Sequence, residues 1–341
     1  MKPAKQVVMD ETSRAENKEI NTLQKTINER ANKGPDRTSI CFLVLIAASS
    51  VWVAATSSNF YESPTLLRLI WVLAFVINLV AVSIPGRLDR IFKDGEHLKP
   101  WSSLIDVSSW AFSLWGVIYV SELLMTLFVA FDGVPGELLV RCVNYWLAGN
   151  WFQSLWCFAF RPEFKNALYV PMSCLIFACL SFALLHHEIT KYKDMNSSHS
   201  IALLLLLRFP VAVHCAWLCC SVLLNLNSWV ALSKVSTSFL IATANFSVYF
   251  AAFFGIGFSV YSLDPVPALV VSWAMDALVQ RTMAKRDQSK SLVAPSVHEA
   301  LAVTEYGVSA ILKVFGFSLV VAPFLFFSFK ISIKKNKEEG E

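Results

Sequence analysis

Trp110-Ala-Phe-Ser-Leu-Trp115-Gly-Val-Ile-Tyr119 sets two tryptophans, a tyrosine and a glycine inside an apolar run. At 3.6 residues per turn, Trp115, Tyr119 and Glu122 fall at i, i+4 and i+7. One helix face therefore carries two aromatic rings and ends in a carboxylate. A carboxylate at membrane depth is costly, so Glu122 is expected to face protein or water rather than lipid.

The run is one of many. Hydrophobic residues make up 55% of the 341, and they gather in runs of about twenty, the length that crosses ~30 Å of hydrocarbon. The reading is an all-α, polytopic transmembrane helical bundle with nine spans, near 40–57, 66–84, 107–130, 138–160, 167–187, 200–226, 236–261, 266–280 and 305–328. The eighth is short. A membrane β-barrel would show weaker, alternating segments of about ten residues.

Lys and Arg alternate along the loops. The N-terminal tail holds eight, Arg87 to Lys99 four, Arg161 to Lys165 two and Arg281 to Lys290 four, whereas the loops 58–65, 131–137 and 262–265 hold none. A cytosolic N-terminus satisfies the positive-inside rule at each of these loops. The C-terminal Lys334, Lys335 and Lys337 then lie outside against their charge, unless the weak span 266–280 fails to cross. Asn196-Ser197-Ser198 is a glycosylation sequon in a loop that this topology places outside. The sequence does not name the membrane, and nothing in it points to nucleic acid.

The chain divides into a flexible polar tail (1–37), an extra N-terminal span (38–65), a five-helix core (66–230), additional transmembrane helices (231–328) and a charged C-terminal tail (329–341). In the first tail Ile20, Leu23 and Ile27 make a narrow apolar edge on a possible helix; the favoured reading is a solvated segment. The eight cysteines lie in or beside apolar spans and imply no disulfide framework. No His-Glu-x-x-His, Gly-x-Ser-x-Gly, phosphate-binding glycine loop or Cys-x-x-Cys is present, and an enzyme is the less favoured reading. His186 and His187 diverge by about 100° on a helix, a poor chelating pair, and read as interfacial.

Two further stripes are expected inside the membrane. Trp146, Asn150, Gln153 and Cys157 share a face of the fourth span, and amides there need protein partners. They are structural glue or a cavity wall, and residue type alone favours glue. His214, Trp217, Ser221 and Asn225 share a face of the sixth span, just after Pro210, which frees a backbone carbonyl and is expected to kink the helix. His214 could ligate haem iron or carry a proton, although a neutral histidine bonded across helices is favoured. Arg208 and Lys313 are intramembrane cations, with Glu122 and Asp276 as candidate partners.

Taken in order, these segments resemble the TspO/MBR-related family, the translocator proteins and tryptophan-rich sensory proteins. Trp110 to Tyr119 looks like the family's second-helix motif, with Val-Ser-Ser where Pro-Ala-Gly is usual. Asn150 with Trp156 resembles the next helix's Asn and Trp pair. Pro210, His214, Trp217 and Asn225 resemble the fifth-helix motif, with His214 where Tyr is frequent and Ala216 replacing Gly. Ile77-Asn78 and Pro85-Gly86 resemble the end of the first core helix. The likeness covers roughly 70–280 and makes spans two to six a TspO-like core. It implies a receptor or carrier, commonly a homodimer, that binds a hydrophobic small molecule such as a tetrapyrrole or sterol in an aromatic-lined pocket, with porphyrin or haem as the candidate ligand. Carried over by position, the pocket residues are Trp110, Trp115, Tyr119, Asn150, Trp156, Trp217 and Asn225, with His214 beside them. The alternatives are a membrane enzyme acting on a bound porphyrin or lipid, and an ion or solute transporter using the buried charges.

Overall fold

The computed structural model describes residues 21–22, 25–33, 63–90, 92–93, 96–97, 101–192, 200–286 and 293–338, with backbone alone at Arg90, 92–93, 96–97, Ser200 and 322–338. The expected first span at 40–57 and the sequon at Asn196 lie outside the described residues.

The bundle begins with α1, Pro64–Ser83. Ser63 caps it by accepting from the Leu66 N–H, and Pro64 occupies the first turn, where its missing N–H costs nothing. A 3₁₀ turn, Ser109–Ser113, leads into α2, Leu114–Ala130. Then come α3, Gly136–Ala159, and α4, Tyr169–Lys191. A helical turn at Ser200–Leu203 and a π-helical turn at Leu204–Arg208 precede α5, Phe209–Leu232. The expected distortion at Pro210 takes the form of that π turn. The Phe209 N–H bonds the Leu204 carbonyl, and the widened turn makes room for the proline ring. The last three helices are α6, Thr237–Ser262, α7, Val266–Arg286, and α8, Pro295–Glu338.

Helices α1 to α5 pack as one group, α3 between α1 and α4, and α5 against α4 and α2. Helices α6 to α8 form a second group against the other side of α5. Two hydrophobic cores result, and α5 contributes to both.

Six described helices, α1, α2, α4, α5, α6 and α8, are long and apolar enough to cross a membrane, so the chain is a polytopic helical membrane protein. α3 and α7 fall outside that set because they carry amides and charges; on α3, Glu137, Arg141 and Asn144 are exposed, whereas Asn150, Gln153 and Ser154 turn inward and are fully buried. The eighth span is longer than its apolar run. It continues as helix to Arg286, 21 residues, roughly 31 Å at 1.5 Å per residue.

The N-terminal tail differs from a wholly solvated segment. Residues 25–33 are helical, Ile27 is buried in the first core, Arg30 pairs with Glu163, and Lys165 donates to Asn28. One inserted side chain and two polar ties seat it on the loop between α3 and α4.

Candidate functional site

The polar and aromatic residues of the core separate into a seam and a cavity. In the seam, Asn78 of α1 donates to the Asn150 carbonyl at 3.0 Å and to Ser154 Oγ at 3.3 Å. Its Oδ1 accepts from Tyr119 at 3.0 Å, and Gln153 donates to the same Tyr119 oxygen at 3.1 Å. Trp71 and Trp146 stack at 4.8 Å, and Trp146 Nε1 donates to the Trp71 carbonyl. These contacts tie α1, α2 and α3 together.

The cavity lies at the end of the bundle where a turn at Leu88–Arg90, the start of α2, the end of α3 and the second half of α5 meet. It holds about 380 Å³ of unfilled space, its open mouth included. Phe112, Trp115, Trp156 and Phe160 form aromatic walls, Leu224 adds an apolar contact, and Asp89, Ser221, Asn225 and Ser228 give a polar edge. Asn225 spends its amide N–H on the Ser221 carbonyl of its own helix, and its Oδ1 has no partner. Trp156 Nε1 and Trp217 Nε1 are likewise buried without one.

Arg87 and Asp89 set the mouth. Arg87 Nε and Nη2 donate to the two Asp89 oxygens at 2.8 and 3.1 Å, its Nη1 donates to the Val82 carbonyl at 2.7 Å, and its guanidinium lies 5.2 Å from the centre of the Trp156 ring. Burial alone would lower the Arg87 pKa, but the facing Asp89 carboxylate outweighs it and holds the guanidinium firmly charged. Pro85-Gly86 makes this return possible. Gly86 sits at φ +100°, and a Cβ there would meet Arg161 at 3.4 Å. The Leu88 N–H then bonds the Phe160 carbonyl, joining the turn to the end of α3.

Of the residues expected in a pocket, Trp115, Trp156 and Asn225 line this cavity. Trp217 stands directly behind it, edge-on to Phe112 and Trp115. The others lie elsewhere. Trp110 faces α7, edge-on to Trp273 and bonded to Gln280, because the 3₁₀ turn rotates it away from Trp115. Tyr119 and Asn150 belong to the seam. His214 is enclosed by Glu122, Phe182 and Trp115, with its Nδ1 2.5 Å from Glu122 Oε1.

The buried charges also differ from expectation. Lys313 pairs with Asp276 at 2.7 Å as anticipated. Arg208 pairs with Asp264 at 3.2 Å rather than with Glu122, which His214 takes instead. His186 is fully buried rather than interfacial, between Asp264 and Thr190, while His187 stacks on Tyr261.

Sequence reasoning missed Arg87, Asp89, Phe112 and Phe160 as parts of one site. The available signal was opposite charges two residues apart directly after a Pro-Gly turn.

A helical membrane bundle with an aromatic cavity at one end and an amide seam beside it is the class this geometry defines. The family described as TSPO-like protein matches residues 69–317, and the chain belongs to it. The match runs through α6, α7 and the membrane part of α8, further than the motif likeness at 70–280. No curated protein and no solved structure matches.

Proposed function

We propose that this protein is a receptor or carrier for a hydrophobic ligand with a polar edge, bound in the cavity between α2, α3 and α5. The observation that carries the reading is the cavity itself: four aromatic walls beside Asn225, whose side-chain oxygen is buried and unsatisfied. Ligand sites combine apolar walls with a few polar groups that fix orientation, and flat ring systems suit aromatic faces. The enclosed part of the cavity is only about 30 Å³, well short of a ligand-sized pocket, so a ligand would enter from the open mouth and part the lining side chains. A tetrapyrrole or sterol would seat one edge between Trp115 and Trp156, with the remainder at the mouth.

The reading favours porphyrin as a cavity ligand over haem ligated by His214. That imidazole is fully buried with one nitrogen already engaged by Glu122, and Trp115 stands between it and the cavity. The basic residues of the loops at this end, among them Arg87 and Arg161, support a cavity at the cytosolic end by the positive-inside rule.

Titration of the purified protein with protoporphyrin, followed by porphyrin absorbance, tests this reading. Trp115→Ala, Trp217→Ala and Asn225→Ala should each weaken binding, with Asn225→Ala lowering affinity by about tenfold through one lost hydrogen bond. Equal affinity in all three variants and the wild type would remove the cavity as the site.

A further inference from the structure

Glu122 of α2 and His214 of α5 face each other in mid-bundle, with Oε1 and Nδ1 2.5 Å apart and neither side chain exposed. With one proton the pair is neutral; a second proton makes it cationic, and loss of the first makes it anionic. Glu122 Oε2 and His214 Nε2 have no hydrogen-bond partner among the described residues, so a proton placed on either would displace no existing bond.

The other buried ion pairs differ. Arg87 bonds both oxygens of Asp89, and Asp264 is held by Arg208, His186 and the Val266 N–H. Among the described residues, the ionisable groups on the helices packed around the Glu122 and His214 pair include Tyr119 on α2, Cys179 and His186 on α4, and Cys215, Cys219 and Arg208 on α5. Tyr119 is bonded to Asn78, Cys179 and Cys215 bond each other's backbone carbonyls, and His186 and Arg208 hold Asp264. From α3 come the neutral amides Asn150 and Gln153. Among the described residues, no Lys, Arg, Asp or other Glu is bonded to the pair, so a proton gained or lost there is not offset by a bonded charge.

Trp115 adjoins the pair. Its ring lies edge-on to His214, with centroids 5.7 Å apart, and it is also a wall of the cavity. We propose that Glu122 and His214 form a proton-binding site whose occupancy is transmitted to the cavity through the Trp115 ring. The ligand of this site is the proton itself. The inference rests on the cavity reading for its consequence, not for its geometry.

The test uses the full chain in lipid nanodiscs without added ligand, titrated between about pH 4 and about pH 10. Two signals are read: the infrared carbonyl band of a protonated buried carboxyl, and Trp115 emission taken as wild type minus Trp115→Phe. The expected result is one step in both signals at a common midpoint, lost in Glu122→Gln and displaced in His214→Asn. The second variant keeps the test decisive if the first fails to fold. A carboxyl step that survives Glu122→Gln, no step in the range, or a midpoint unmoved by His214→Asn overturns the proton site. Flat Trp115 emission across a Glu122 step overturns the transmission. Protoporphyrin affinity should also change at least about threefold across the midpoint, a dependence absent from Glu122→Gln. Failure of protoporphyrin to bind at any pH counts against the cavity reading and leaves the ligand-free steps to decide the proton site.

Discussion

The seam around Asn78 and the cavity around Asn225 are made of the same residue types, tryptophan, asparagine and serine, in one five-helix group. They differ in how their side chains are used. In the seam the Trp146 indole and the Asn78 amide bond across helices, to the Trp71 carbonyl, the Asn150 backbone carbonyl and Ser154 Oγ, although the Asn150 amide itself turns back to the Trp146 carbonyl. At the cavity the Asn225 amide turns back onto its own helix and the Trp156 indole bonds nothing. An unsatisfied atom alone does not mark a site, since Asn150 Oδ1 and Gln153 Oε1 are also unpaired within the seam. Open volume beside such an atom is the distinguishing feature. The seam fixes the distances between helices, and the cavity is the space those fixed distances leave.

This contrast is most exposed to substitution in the seam. Trp146→Ala removes a fully buried ring and its hydrogen bond, and should cost about 3–5 kcal/mol of stability, read as a large drop in the midpoint of thermal unfolding. A drop as small as that of a surface variant would show that the seam does not set the helix spacing. Gly149→Ala comes next. A Cβ there would lie 2.6 Å from the Phe182 ring, and overpacking of this kind costs about 1–3 kcal/mol. Asn78→Leu leaves Tyr119 and Ser154 without that partner, at about 1–3 kcal/mol. It should lower stability while changing protoporphyrin affinity less than Asn225→Ala does.

The smallest effect is electrostatic and lies at the opposite end of the bundle. Burial would raise the Asp264 pKa, but the hydrogen bond with His186, the Val266 N–H and the Arg208 charge hold it below the ordinary value of 3.8. A depressed carboxyl contributes stability above its unfolded pKa and loses that contribution as pH falls through the folded one. Unfolding midpoints should therefore decline as the pH drops below about 4. Asp264→Asn should flatten that decline, and an unchanged slope would assign it to other groups.

Much of the fold could be read from the residues, because helices of spanning length leave long apolar runs. The eight expected spans within the described residues are all helical. The limits of α7 were less legible, since its apolar run ends near Leu278 while its polar turns persist on contacts with α8 and the segment 103–110, Thr282 donating to Glu305 and Lys285 to the Ser103 carbonyl. The site was half legible. Trp115, Trp156 and Asn225 announced themselves by type and order, and they do meet. Asn150 and Trp110 share that type and order but face elsewhere, as helix rotation and the 3₁₀ turn at Ser109–Ser113 decide. Arg87 and Asp89 read as loop charges because their burial depends on Gly86 reversing the chain toward Phe160. Helical periodicity places residues on a face, but not the face against a neighbour.

The central claim is that the cavity, and not the seam, is the binding site. Protoporphyrin dissociation constants for Asn225→Ala and Asn150→Ala, measured side by side in folded protein, test it most directly. The account predicts an affinity loss of about tenfold in Asn225→Ala and an affinity near that of the wild type in Asn150→Ala. An equal loss in both, or a loss confined to Asn150→Ala, would contradict it.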